Sequence, residues 1–205
     1  MNPIKRTKFN VSLLGDTEVG KSSIVEVLSG YPFQENKVST IGIENILQSA
    51  VFDGKKYIFK IFDTAGQERF ESVSSQTIKI ADGFLLVFSV NNVKTLKRID
   101  KWIESIKSNV DITKKVLILC GNKIDVEERE VSNEDAMKFA NEKNIKYFET
   151  SAKTGFGIKE VFEQLYSDIY QLNKSLDNSS SNEKTGEALD EKKLKKPKDN
   201  KRKCC

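Results

Sequence analysis

Between Phe9 and Leu172 the apolar positions follow two alternating rhythms. "KFNVSLLG", from Lys8, is an apolar run of strand length. "GKSSIVEVLSG", from Gly20, spaces its apolar residues three and four apart and stops at a glycine, as a helix does. "ENILQSAVF" and "KKYIFKIFD" flank Asp53-Gly54, a dipeptide suited to a tight hairpin. "GFLLVFSV" and "KKVLILCG" are nearly unbroken apolar runs, which predicts strands covered on both faces. "TLKRIDKWIESIKSNV", from Thr95, predicts one amphipathic helix. "SNEDAMKFANEKN" offers Ser132 as an N-cap with Asp135 three residues on. "IKYFETS" predicts a last strand and "IKEVFEQLYSDIYQLN" a last helix. The sum is an α/β fold: a mostly parallel sheet of six strands, one of them an antiparallel hairpin strand, with helices on both faces.

Composition changes this picture at the two ends. The 205 residues are 38% hydrophobic, enough for one core. The pattern divides the chain into a flexible N-terminus (1–7), a folded domain (8–172) and a tail (173–205). The tail is polar and charged and is expected to be disordered, with a helix around residues 186–196 as the alternative. Residues 172–205 hold ten Lys/Arg against six Asp/Glu, so the net charge of +4 resides in the tail. A neutral domain with a basic tail argues against nucleic-acid binding and for an anionic surface as the tail's partner. The start has no apolar run of signal-peptide type, and no stretch is long and apolar enough to cross a membrane. Synthesis in the cytosol follows. Cys120 reads as a core thiol.

Candidate chemistry lies at the predicted strand ends. "GDTEVGKS" (Gly15, Asp16, Thr17, Glu18, Val19, Gly20, Lys21, Ser22) fits G-x-x-x-x-G-K-[ST] between a strand and a helix, the context that motif requires. Its backbone N–H groups and the helix terminus would cradle phosphates, Ser23 continuing the turn. Lys21 would reach the β- and γ-phosphates, and the Ser22 hydroxyl would bind Mg²⁺. "FDTAGQ" ends the second hairpin strand. Asp63 would hold Mg²⁺ through water, Gly66 would let its N–H approach a γ-phosphate, and Gln67 would orient an attacking water. "GNKID" (with Asn122, Lys123 and Asp125) follows an apolar strand, at the carboxyl edge where open α/β sheets bind ligands. A buried Asp125 carboxylate would accept from guanine N1–H and its 2-amino group. Adenine lacks those donors, a mismatch that can discriminate by about 10⁴–10⁵. In "ETSAK" (Ser151, Ala152, Lys153) the Ala152 N–H would meet the guanine O6, while Lys123 lies along the ring.

Five elements in order, "GDTEVGKSS", "STIG", "DTAGQERF", "GNKID" and "ETSAK", resemble those of the Ras-superfamily small GTPases, and most those of the Rab family. The resemblance covers about residues 8–172. It implies the P-loop NTPase fold, a monomer, slow GTP hydrolysis and a GTP/GDP switch in vesicle trafficking. It also implies that Thr40 joins Mg²⁺ and the γ-phosphate only in the GTP state, making Gln67, Lys21 and Thr40 the catalytic set. Phe33 would pack against the base. The partners implied are an exchange factor, a GTPase-activating protein, a GDP-dissociation inhibitor or escort protein, and effectors. Departures from the Rab pattern are Asn45 where an aromatic is usual, Phe62 where a tryptophan is usual, Thr77-Ile78-Lys79 where a Tyr-Tyr-Arg run is usual, and Thr17-Glu18 in the phosphate loop. Asn45 and Thr77 predict a less apolar switch face; Thr17-Glu18 predicts slower intrinsic hydrolysis. A P-loop kinase or ATPase would bind adenine, against "NKID" and "SAK". A scaffold without turnover would lack Gln67, Thr40 or Lys21, and all three are present.

The chain ends "KRKCC". Two adjacent terminal thiols behind eight basic residues from Lys192 resemble the double-cysteine ending of Rabs, in which Cys204 and Cys205 would both carry geranylgeranyl groups. One lipid chain anchors only marginally, and a second makes the anchoring stable. The resemblance places the protein on the cytoplasmic face of an intracellular membrane, with a cytosolic pool held by a carrier.

Overall fold

The computed structural model describes residues 6–35, 43–64 and 71–190, with backbone alone at 43–44, 64, 71–74 and 178–190. The chain divides into two units, residues 1–170 and 171–205. In the first, the elements run β1 (Lys8–Leu14), α1 (Lys21–Leu28), β2 (Ile43–Phe52), β3 (Lys55–Thr64), α2 (Glu71–Ile80), β4 (Gly83–Ser89), α3 (Val93–Lys97), α4 (Ile99–Asn109), β5 (Val116–Asn122), α5 (Asn133–Glu142) and β6 (Lys146–Glu149), and then enter α6 (Ile158–Asp190).

The six strands form one sheet in the order β2-β3-β1-β4-β5-β6, antiparallel only between β2 and β3. This is the expected fold. The hairpin turns where predicted: Asp53 and Gly54 both have positive φ, 48° and 70°, as a two-residue turn of this hand requires. Successive side chains of a strand point to opposite faces, and the unbroken apolar runs feed two cores. Leu85, Val87, Ile118 and Cys120 face one cluster with α1 and the start of α6. Phe84, Leu86, Phe88 and Leu119 face the other with α2, α4 and α5. Phe59 is fully buried in the first, stacked at 4.1 Å on Tyr166 and 5.5 Å from Phe9. Cys120 is buried as expected, and burial pushes its thiol up to about 12.

Helix ends follow their local chemistry. α1 stops at Gly30, where Gly30 N–H donates to Val27 O and Tyr31 N–H to Glu26 O, the paired bonds of a Schellman ending. Ser132 caps α5 by accepting from Asp135 N–H at 3.0 Å.

Three expectations need correction. The helix expected as one piece from Thr95 is two, α3 and α4, divided at Arg98. Arg98 has ψ −12°, well short of helical values, and the Thr95 hydroxyl is drawn off to Asn92 O and Ser89. Of the N-terminus assigned as flexible, residues 1–5 lie outside the described residues, and Arg6 is held: its guanidinium donates to both oxygens of Asp82 at 2.7 Å and lies over the Phe9 ring. Of the tail expected to be disordered from Asn173, residues 173–190 continue α6 in the second unit, and residues 191–205 lie outside the described residues. Residues 173–190 contain no proline and one glycine, and extending a formed helix avoids the nucleation cost.

Replacing Phe59 by Ala should lower the unfolding free energy by about 3–5 kcal/mol. Chemical denaturation of the two proteins measures this, and a loss under 1 kcal/mol would contradict the ring cluster as the centre of the first core.

Candidate functional site

The site is built where β1, β3, β5 and β6 end. Gly15 follows β1 so closely under β4 that an added Cβ would lie 2.1 Å from Val87 O. Glu18 takes φ 64°, in the left-handed region, which costs a residue with a Cβ about 1–2 kcal/mol. Gly20, at φ 97°, opens α1.

Lys21 begins α1 and is nearly buried. Its ammonium donates to Gly15 O and Asp16 O, both at 2.8 Å. Burial lowers its pKa to about 8, while Asp63 and Asp16 act the other way. The loop thus bends around an ammonium that only carbonyl dipoles hold on that side, an arrangement suited to anions.

Asn122, the last residue of β5, joins this loop to the other motifs. Its Nδ2 donates to Val19 O at 2.8 Å. Its Oδ1 accepts from Thr150 Oγ1 at 3.1 Å and from Ala152 N–H at 3.2 Å. A Cβ on Gly20 would come within 2.3 Å of the Asn122 amide nitrogen. That glycine is required by close packing as well as by its φ. Thr150 in turn contacts the Cys120 thiol at 3.2 Å.

Asp125 accepts from Ser151 Oγ at 2.5 Å, and Ser151 Oγ accepts from Thr154 N–H at 3.1 Å. Lys123, at φ 68°, turns the chain between Asn122 and Asp125. The motifs "GNKID" and "ETSAK", separated by 23 residues of chain, are therefore one hydrogen-bonded unit. Two details differ from the sequence reading. Asp125 is exposed, because the turn after β5 carries it beyond the sheet edge. The Ala152 N–H, assigned to guanine O6, is directed to Asn122 Oδ1. Lys153 also reaches outward, to Glu35 at 3.4 Å.

Ser22 and the buried Asp63 line one cavity of about 350 Å³ with Glu26, Tyr31, Gln34 and Asn45. A hydroxyl and a carboxylate are hard oxygen donors, the set that Mg²⁺ prefers. Among the described residues no cluster of three or more His, Cys, Asp or Glu offers another metal site. Ser23 is half-buried in the first turn of α1, and Phe33 packs on the first core cluster. Thr40, Gly66 and Gln67 lie outside the described residues, as do Cys204 and Cys205.

A family profile described as the Ras family matches residues 10–171. The chain is 38% identical to the Ras-related protein Rab-13 of Canis lupus familiaris over 162 residues, 78% of this chain and 79% of that protein. It is 38% identical to Rab-8 of Diplobatis ommata over 191 residues, 92% of this chain and 88% of that one. It is 34% identical to YPTC6 of Chlamydomonas reinhardtii over 185 residues, with 89% and 85% covered. The chain belongs to the Ras family, among its Rab-type small GTPases.

As a small GTPase it hydrolyses GTP, and the guanine nucleotides are its ligands. Two of the positions that depart from the Rab pattern lie inside the fold. Thr77 is buried in α2, with its hydroxyl bonded to Ser12 Oγ at 3.1 Å, and Phe62 is buried too. Asn45 is the exposed polar replacement, and it shares a cavity lining with the exposed Tyr31. Sequence reasoning missed Trp102 and Arg98, which reach the phosphate loop at Asp16. The only signal was a tryptophan on an otherwise aliphatic helix face.

Asn122→Ala should lower the unfolding free energy of this GTPase by about 1–3 kcal/mol, because it takes the side-chain partner from buried Val19 O and Ala152 N–H. Gly20→Ala breaks the same contact. In a double-mutant cycle the two losses should sum to more than the double variant loses. Strict additivity would show that Gly20 and Asn122 act separately.

Proposed function

We propose that this Rab-type GTPase is a membrane-attached switch of vesicle transport, set by whether GTP or GDP occupies the loop around Lys21. The observation that carries the reading is the Asn122 side chain, which ties the phosphate loop to the guanine motifs across buried hydrogen bonds. In this reading Lys21 offsets charge on the β- and γ-phosphates, with Gly15, Asp16, Thr17, Glu18, Val19 and Gly20 presenting backbone around them. Asn122, Lys123, Asp125, Ser151, Ala152 and Lys153 frame the base. Phe33 closes over it.

Ser22, Asp63 and, in the GTP state, Thr40 would hold Mg²⁺, which when bound neutralises charge shared by the β- and γ-phosphate oxygens. Gln67 orients the attacking water, and Gly66 gives its N–H to the γ-phosphate. The chain supplies no arginine matching a built-in finger. Intrinsic turnover is then on the order of 10⁻⁴ s⁻¹, and an activating protein adds about 10³–10⁵. Residues 31–41 and 64–80 take up the GTP-dependent form that effectors read.

No described helix is long and apolar enough to cross a membrane; in this reading attachment rests on the cysteines of "KRKCC". Geranylgeranyl groups on Cys204 and Cys205 give the two-chain anchor, and lysines from Lys192 on add about 1 kcal/mol each near an anionic leaflet. Two exposed chains need a soluble carrier, so a GDP-dissociation inhibitor or escort protein holds the cytosolic pool.

Two measurements test this. In competition binding the protein should prefer GTP to ATP by at least 10³-fold, and Asp125→Ala should reduce that preference; equal affinity for both nucleotides would end the guanine assignment. Changing Cys204 and Cys205 together to Ser should make the protein wholly soluble on fractionation with GTP binding retained. A double variant that still pellets with membranes would overturn the anchor.

A further inference from the structure

Asp16 is the second residue of the phosphate loop, and its carboxylate points away from the loop toward α4. Its Oδ1 accepts from Trp102 Nε1 at 3.2 Å. Its Oδ2 pairs with Arg98 Nη1 at 3.3 Å. The Asp16 side chain is largely buried by this contact, 14% exposed. Its backbone carbonyl meanwhile accepts from the Lys21 ammonium at 2.8 Å. One residue thus links two helices: α4 holds its side chain and α1 holds its main chain.

Both donors come from one turn of helix. Arg98 is the residue at which α3 ends and α4 begins, and Trp102 lies four residues on, the spacing that puts two side chains on the same face. The break at Arg98, which the sequence pattern did not foretell, is therefore where the chain turns its guanidinium to the phosphate loop. Trp102 also packs against the second core cluster, whose members include Ile78 of α2 and Ile99 and Ile103 of α4. α2 and α4 are packed together.

We propose that Arg98 and Trp102 are positioning residues for the nucleotide: they fix Asp16, and through its carbonyl they set the Lys21 ammonium that faces the phosphates. The inference rests on the phosphate-loop reading above. It gives α4 a share in how long a nucleotide is retained. Anything that draws α4 aside, including a shift of α2, loosens the Lys21 acceptor and speeds release. The carbonyl of Asp16 cannot be removed by mutation, so its side-chain anchors are the accessible handle.

The test is the release rate of a fluorescent GDP from the full-length protein. Trp102→Phe keeps the ring packing and removes the indole N–H. Arg98→Gln keeps the length and removes the charge. Each should speed release about tenfold, equivalent to about 1.4 kcal/mol, and Arg98→Lys should restore part of the loss. Ile106→Val trims the same core cluster without touching Asp16, and it should lower the melting temperature with release at the parental rate. Trp102 is the sole tryptophan, so the parent's emission should also shift as GDP leaves. Parental release rates in Trp102→Phe and Arg98→Gln, or equal acceleration in Ile106→Val, would overturn the proposal. A parent that loads no GDP would overturn the phosphate-loop reading and this one with it, whereas a parent that loads normally isolates the failure to the Asp16 anchors.

Discussion

A single buried amide, that of Asn122, determines whether the loops at the sheet edge form one site or several. Its nitrogen needs acceptors and its oxygen needs donors, and a buried amide left unmatched costs more than a made bond returns. Val19 O, Thr150 Oγ1 and Ala152 N–H match it from two loops that are over a hundred residues apart in the chain. The fit demands that Gly20 have no side chain and that β5 end where it does. Networks of this kind are rigid because their members are satisfied together or not at all.

The sheet order explains why that edge is available. β1 lies between β3 and β4. From β1 the chain goes out to β2 at the sheet edge, returns through β3 beside β1, and then crosses to the other side with β4. The loop after β1 therefore opens at the point where the order reverses. Because β1, β3, β4, β5 and β6 are all parallel, their carboxyl ends fall on one edge, and Gly15, Asp63, Asn122 and Thr150 are carried there together.

What could be read from the sequence follows a physical divide. Strand runs, the Asp53-Gly54 turn, the Ser132 cap and the Gly30 stop are decided by residues within a few positions of one another, and all are found. The strand-ending motifs were legible because phosphate and base chemistry restricts residue type and spacing. α2 was not read as a helix, since "ESVSSQTIKI" has too few apolar positions to set a clear period. Features decided by distant partners were hidden. Arg6 is ordered by Asp82, Thr77 is buried by bonding Ser12, and Arg98 turns toward Asp16. The tail helix failed for the opposite reason: composition argued that 173–190 has nothing to bury, but a helix already running needs little to continue.

The energetics of Lys21 tie folding to ligand. Burying an ammonium disfavours its charged form, and the lowering of its pKa to about 8 expresses that penalty. Gly15 O and Asp16 O are dipoles, weaker partners for a full charge than an anion would be. Asp63 and Asp16 act in favour of the charge, though Asp16 is itself paired with Arg98. A phosphate group beside Lys21 would offset the remaining cost directly. In the proposed reading, the loop around Lys21 is held in a costly form without nucleotide, and binding returns that cost as stability of the folded state. A protein built this way retains a nucleotide because letting go exposes the penalty again. In that reading, release is promoted by whatever supplies a substitute charge to Lys21 or moves the loop.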